Sequence, residues 1–197
     1  NAQGEKDTVW YGGRNTIFVY RYDPEGNLLE ERCEMRPDTD YRFEYAHRTV
    51  YVYDFYGNLT VETYQTYDGP AWVDEIQKTY SYDGEGRLVE REWARCTDSC
   101  RVATKYLISY GANGLEDTAV TLPVSDQGVV GDTVGMVVYT YGAGDELLEQ
   151  CVREKSNGTW LVAGTERTLY AYDASGRLAK TETQYMQQDS TWRPGRR

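Results

Sequence analysis

Four aspartates, Asp23, Asp54, Asp83 and Asp173, are each followed three positions later by a glycine, at Gly26, Gly57, Gly86 and Gly176. Carboxylates at regular intervals raise calcium as the first chemistry to consider. A calcium loop places oxygen ligands at about every second position over roughly a dozen residues, and no such density surrounds these aspartates. Turn formation accounts for them instead. An aspartate opening a turn accepts a backbone N–H two residues on, and a glycine closing it takes positive φ at little cost.

Other residue types offer other chemistries. Glu90 and Glu92 lie two apart on one strand face, and glycoside hydrolysis can run on two carboxylates. Arg32, Arg87, Arg91 and Arg95 suggest instead that such glutamates belong to cross-strand charge pairs. His47 is the only histidine. It falls mid-strand, with no strand–turn–helix nucleophile near it, so a Ser-His-Asp arrangement has no support. The glycines sit in turns and open no helix, so no phosphate cradle is implied. These residues lead to no catalytic assignment and to no expected cofactor or metal.

Cys96 and Cys100 bracket a three-residue turn segment, Thr97-Asp98-Ser99. Cysteines facing each other across a hairpin loop fall within disulfide reach, which places the chain outside a reducing cytosol. Cys33 and Cys151 are expected to be unpaired and partly buried. Trp10, Trp72, Trp160 and Trp192 recur near polar turns at one end of the hairpins. They are the candidate binding residues, as rigid aromatic anchors with a polar tip; covering strand ends is the alternative role for each.

The element that positions all of these is a repeat. Tyr20-Arg21-Tyr22-Asp23-Pro24-Glu25-Gly26-Asn27-Leu28 returns at Tyr51 to Leu59, at Tyr80 to Leu88 and at Tyr170 to Leu178. Two degraded copies lie at Ile108 to Leu115 and at Tyr139 to Leu147, and successive motif tyrosines are 28 to 31 residues apart. Alternation before each turn is period two, as in Val50 and Val52 against Tyr51 and Tyr53, so these segments are strands. Asn113-Gly114 predicts a tighter two-residue turn in the fourth copy, and Asp145 in place of glycine predicts a rearranged turn in the fifth. Glu146 to Lys155 favours helix by propensity, but its place in the repeat makes it a strand.

Each copy contributes two strands and two turns. Six hairpin repeats predict an all-β fold, an antiparallel meander of about twelve strands, forming a strongly curved single sheet or an open barrel-like roll. Residues 1–197 are taken as a single repeat domain. The segment before Trp10 is expected to be turn-like. At the ends, either the array is cut from something longer or Trp10 and Trp192 cap it.

Composition narrows the partners. The chain has 19 Tyr and 5 Trp among 197 residues, a net charge of −11, a pI near 4.6 and a mean hydropathy of −0.73. A thick aliphatic core is not available, and aromatic faces must supply much of the buried surface. The negative charge argues against nucleic acid, whose phosphates need Lys and Arg. No apolar run approaches a membrane span. A removed leader would leave no trace, so its absence says nothing against export. Sheet edges make an edge-to-edge dimer a candidate assembly.

The Tyr-x-Tyr-Asp-x-x-Gly-Arg/Asn-Leu pattern resembles the signature of YD repeats, found in RHS-like proteins. The resemblance covers roughly residues 16–187, with four close copies. It is nearest in style to small secreted YD-like proteins of gut anaerobes, many of unknown function. In the larger family members the repeats form β-shells around a toxic cargo, and in animal relatives they belong to adhesion machinery. This chain is short and has no recognisable cargo domain, so fold and extracytoplasmic setting are what the resemblance implies. Asp7-Thr8-Val9, Asp117-Thr118-Ala119, Asp132-Thr133-Val134 and Asp189-Ser190-Thr191 resemble O-glycosylation acceptors of secreted bacterial proteins. The expected function is a secreted or cell-surface, non-enzymatic binding or structural module for a protein or glycan. The alternatives are a carbohydrate-active enzyme using a carboxylate pair, or a fragment of a toxin-type shell.

Overall fold

The computed structural model describes residues 5–11, 15–36, 45–69, 71–162 and 165–195, with side chains for 16–34, 46–69, 71–162 and 165–195. The described residues are all-β, and no helix occurs among them. Strands pair antiparallel in chain order, as a meander. The chain forms two compact units, residues 1–103 and 104–197.

In the first unit, β1 (Glu5–Tyr11) precedes three motif hairpins. These are β2 (Asn15–Tyr22) with β3 (Leu28–Arg36), β4 (Tyr45–Tyr53) with β5 (Leu59–Asp68), and β6 (Ala71–Tyr82) with β7 (Leu88–Cys96). β8 (Cys100–Tyr110) starts in this unit and continues into the second, where it pairs β9 (Glu116–Pro123). There β10 (Gly135–Tyr141) pairs β11 (Leu147–Ser156), and β13 (Glu166–Tyr172) pairs β14 (Leu178–Met186). The short β12 (Thr159–Trp160) pairs the end of β11, beyond the stretch paired by β13, and β15 (Trp192–Pro194) pairs β14. Within neither unit does the first described strand pair with the last.

The six motif hairpins supply the twelve expected strands, and β1, β12 and β15 are additional. The segment before Trp10, expected to be turn-like, is strand β1, with Trp10 opposite Ile17. Extended backbone there gives its N–H and C=O groups partners on β2, which a turn would leave unpaired.

Every motif turn has the same construction. In the first, the Gly26 N–H donates to the Asp23 carbonyl at 3.2 Å, and the Asp23 N–H to the Asn27 carbonyl at 2.9 Å. Gly26, Gly57, Gly86 and Gly176 take φ of 97°, 85°, 79° and 76°. A bulge follows, because Tyr22 faces Leu28 while Arg21 faces Glu30, which leaves Leu29 unpaired. The same register shift recurs at Tyr53, Tyr82, Tyr110, Tyr141 and Tyr172. A bulge increases local twist.

The degraded copies keep this turn, which corrects two expectations. In the fourth, Tyr110 faces Glu116, so Glu116 holds the usual leucine place, and Gly114 has φ of 77°. The turn is not shortened to two residues. Asn113 supports it by accepting the Leu115 N–H through Oδ1 at 3.2 Å. In the fifth, Asp145 itself adopts φ of 62° and its N–H reaches the Gly142 carbonyl at 3.2 Å. Aspartate is among the few side chains that enter this region readily. The carboxylate has moved to the far end of the turn, where Glu146 Oε2 accepts the Gly144 N–H at 2.9 Å.

The core is thin. Its buried apolar members are Ile17, Cys33, Ala46, Ala94, Cys96 and Cys151, and no large side chain is fully buried among the described residues. Cys33 and Cys151 are free thiols. Cross-strand polar pairs must therefore carry much of the stability.

Candidate functional site

The motif tyrosines and aspartates have contacts that explain their type. The second tyrosine reaches back one repeat. Tyr53 donates its hydroxyl to the Leu28 carbonyl at 3.0 Å, Tyr82 to Leu59 at 2.8 Å, Tyr141 to Glu116 at 2.9 Å and Tyr172 to Leu147 at 3.1 Å. The first tyrosine meets a polar side chain of the preceding return strand. Tyr80 donates to Glu62 at 2.8 Å and Tyr170 to Gln150 at 3.2 Å. Burial and the Glu62 bond push the Tyr80 phenol well above its ordinary value. Burial likewise raises Tyr51, Tyr53, Tyr82, Tyr139 and Tyr141. These phenols stay protonated as donors and are unsuited to act as bases.

The turn aspartates are taken up by their own turns. Asp54 Oδ1 accepts the N–H groups of Tyr56 and Asn58 at 2.8 and 2.9 Å, while Oδ2 accepts the Asn58 amide at 3.0 Å. Asp83 does the same with Glu85 and Arg87, and Asp173 with Ser175 and Arg177. Side-chain and backbone bonds from Asn58 hold the Asp54 carboxyl below the usual carboxylate range. The backbone bond from Arg87 leads in holding Asp83 down, and the Ser175 side chain does so for Asp173. At Asp23 burial is the largest single influence and acts upward, but the bonds from the Asn27 side chain and from the backbone of Asn27, Gly26 and Glu25 together outweigh it and hold the carboxyl down. Among the described residues, no group of three or more His, Cys, Asp or Glu is placed to hold a metal.

Two of the candidate tryptophans, Trp72 and Trp192, are built into arginine stacks. Arg48 lies 4.5 Å from the centre of the Trp72 ring, which also meets Tyr67 edge-on at 5.3 Å. Arg48 donates to Gln65 and lies 3.8 Å from Glu30. In the second unit, Arg167 sits 4.3 Å over Trp192, donates to Gln184 at 2.8 and 2.9 Å, and lies 3.9 Å from Glu149. The same Glu–Arg–Gln–Trp set thus occurs once in each unit, with its arginine five residues before the second motif tyrosine. Trp160 is more open, 37% exposed, with Lys155 at 5.5 Å. The side chain of Trp10 lies outside the described residues.

Cys96 and Cys100 form a disulfide. Glu92 accepts a hydrogen bond from Thr79 at 3.2 Å. His47 packs in the sheet beside Tyr64, with ring centres 5.7 Å apart.

Among the described residues, the most exposed aromatic pair is elsewhere. Phe55 and Tyr56 occupy the two central positions of the second motif turn, 97% and 85% exposed. Their rings meet edge-to-face at 5.7 Å and 79°. The turn beneath them is fixed by Asp54, so their placement is determined although their surfaces are in water. They separate two grooves. One, of about 800 Å³, lies between the first and second turns and is lined by Asp23, Glu25, Tyr51, Asp54, Phe55 and Tyr56 among others. The other, of about 580 Å³, lies between the second and third turns and is lined by Tyr56, Tyr80, Asp83 and Glu85 among others. The signal was available in the sequence: the other three intact copies carry Pro24-Glu25, Gly84-Glu85 and Ala174-Ser175 at these positions, where aromatic rings are the outlier.

No family model and no curated protein matches the chain. Among solved structures, it is similar to a protein of unknown function from Bacteroides fragilis NCTC 9343, at 17% identity and a TM-score of 0.48, over 62% of this chain and 89% of that one. A TcdB2-TccC3 structure without its hypervariable C-terminal region aligns over 92% of this chain at 16% identity and a TM-score of 0.43; the chain spans only 13% of its length. A porin-like protein from Bacteroides uniformis ATCC 8492 aligns over 98% of this chain and 92% of that one, at 10% identity and a TM-score of 0.37.

Proposed function

We propose that the chain is a non-enzymatic binding module of the YD-repeat type, working outside the cytoplasm, and that the second motif turn carries its contact surface. The observation behind this is the exposure of Phe55 and Tyr56 on a turn whose folding does not require aromatic residues at those positions. A large apolar ring held in water loses the roughly 1.5–3 kcal/mol that burial would return, and a partner recovers it. Preorganisation adds to the case, since the Asp54 bonds mean that binding need not order the loop.

The motif tyrosines and aspartates are engaged in holding the repeat together, which supports a scaffold role for them. The Cys96–Cys100 disulfide supports an oxidising compartment. The YD-repeat relation rests on four intact copies of the motif and on six turns of one construction.

The test is a binding screen of the intact chain against glycan, peptide and protein arrays, run beside a glycoside-hydrolysis panel. Binding that is lost in a Phe55→Ala/Tyr56→Ala variant is the expected result. Robust hydrolysis without binding would refute the proposal.

A further inference from the structure

We propose that the groove between the first and second motif turns docks a cationic segment of a protein partner, with Phe55 and Tyr56 as its aromatic wall and Asp23, Glu25 and Asp54 as its carboxylates. This rests on the binding function proposed above and names its ligand class.

The lining of the groove sets the chemistry. Its charged residues are Asp23, Glu25 and Asp54, and none of its lining residues is Lys, Arg or His. The bonds that Asp23 and Asp54 accept from their turns fix their position without neutralising their charge. Anionic ligands are repelled there. The net charge of −11 draws cationic partners toward the molecule in general. The groove on the other side of Tyr56 is less suited, because Arg87 already bridges Asp83 and Glu85 at 2.8 and 3.0 Å.

The aromatic geometry separates a cationic peptide from a sugar. A pyranose stacks on a broad flat face, but Phe55 and Tyr56 stand at 79° to each other and share no such plane. A guanidinium needs only one ring face, and its N–H fork remains free to meet a carboxylate. An arginine side chain lying against either ring has Asp54 and Glu25 in the same groove. The volume of about 800 Å³ admits more than one side chain of a peptide.

The probe is the peptide acetyl-Gly-Arg-Gly-Arg-Gly-Arg-Gly-amide, titrated into the intact chain at about 150 mM salt, where long-range attraction is screened. Backbone amide NMR shifts are expected to concentrate in residues 23–29 and 51–57. Phe55→Ala/Tyr56→Ala is expected to weaken binding about tenfold, since two exposed cation–π contacts of about 0.5–1 kcal/mol each are removed. Glu25→Gln tests the carboxylate independently and is expected to weaken binding as well. Both aromatic side chains are exposed, so circular dichroism should show an unchanged fold. Shifts spread evenly over the acidic surface, or an unchanged affinity in the aromatic variant, overturn the inference. Cellohexaose shifting the same amides while the peptide does not would also overturn it, yet leave the binding function standing. Failure of peptide, glycan and protein probes alike removes both.

Discussion

The Tyr82 hydroxyl donates to the Leu59 carbonyl across 2.8 Å, tying the end of one motif strand to the start of the previous return strand. The pairing recurs between Tyr53 and Leu28, Tyr141 and Glu116, and Tyr172 and Leu147. The acceptor is a backbone carbonyl beside the bulge, so the residue at that position need not be leucine for the bond to form. Glu116 shows this. Removal of the hydroxyl alone is therefore the clean test. Tyr82→Phe and Tyr53→Phe are each expected to lower unfolding free energy by about 1 kcal/mol, measured by urea titration. Unchanged midpoints for both would show that the bond adds nothing net.

The turn glycines are required by conformation rather than by space. A Cβ on Gly57 meets nothing within 4 Å, yet its φ is 85°. Gly57→Ala should therefore cost about 1 kcal/mol through backbone strain alone. Asp145, at φ 62°, provides the companion case. Asp145→Asn is expected to be tolerated within about 0.5 kcal/mol, whereas Asp145→Val should cost about 1–2 kcal/mol. Thermal denaturation of the three variants checks the ranking, and equal tolerance of Asn and Val would contradict it.

Acid and alkali should attack different parts of the repeat. Asp54, Asp83 and Asp173 have carboxyls held below their ordinary value near 3.8 by bonds to the charged form. Their contribution is fully present above that value and drains away as pH falls through the lowered one. Tyr51, Tyr53, Tyr80 and Tyr82 are raised above 10, chiefly by burial. Their contribution is complete below pH 10 and is lost as pH rises through the raised values. Denaturant midpoints measured across pH should fall at both ends. Asp54→Asn/Asp83→Asn should flatten the acid limb and leave the alkaline limb alone; a parallel shift of both limbs would count against this assignment.

Arg167 joins three partners that a lysine cannot hold together. It stacks on Trp192 and donates twice to Gln184 while lying near Glu149. Arg167→Lys keeps the charge but loses the planar fork, and is expected to cost about 1 kcal/mol. Trp192 emission should change in the same variant. A stable protein with unaltered emission would indicate that the stack is not maintained in solution.

Much of the architecture is legible from spacing. Asp23 and Gly26, with their later copies, define a turn because the required bonds form within five residues of chain. Period-two alternation identifies the strands for a similar reason. The fourth turn misleads because Leu115 mimics the motif leucine. The true register places Leu115 before the bulge and Glu116 in the leucine position. In the fifth turn Asp145 looks like a defect, although an aspartate can adopt the glycine's φ.

By itself, then, the sequence determined the turn, the bulge and their return in the four intact copies, since these depend on backbone angles and bonds between near neighbours; that the two degraded copies keep the same turn came from the structure. Only the tertiary structure decided which side chains those hairpins bring together and which they leave in water. Arg167 meets Trp192 through the register of β13, β14 and β15, which no local pattern encodes. The candidate tryptophans Trp72 and Trp192 carry arginines on a ring face, and among the described residues the most exposed aromatic rings are Phe55 and Tyr56. Exposure is a property of everything packed around a residue, so it appears only once the strands are in place.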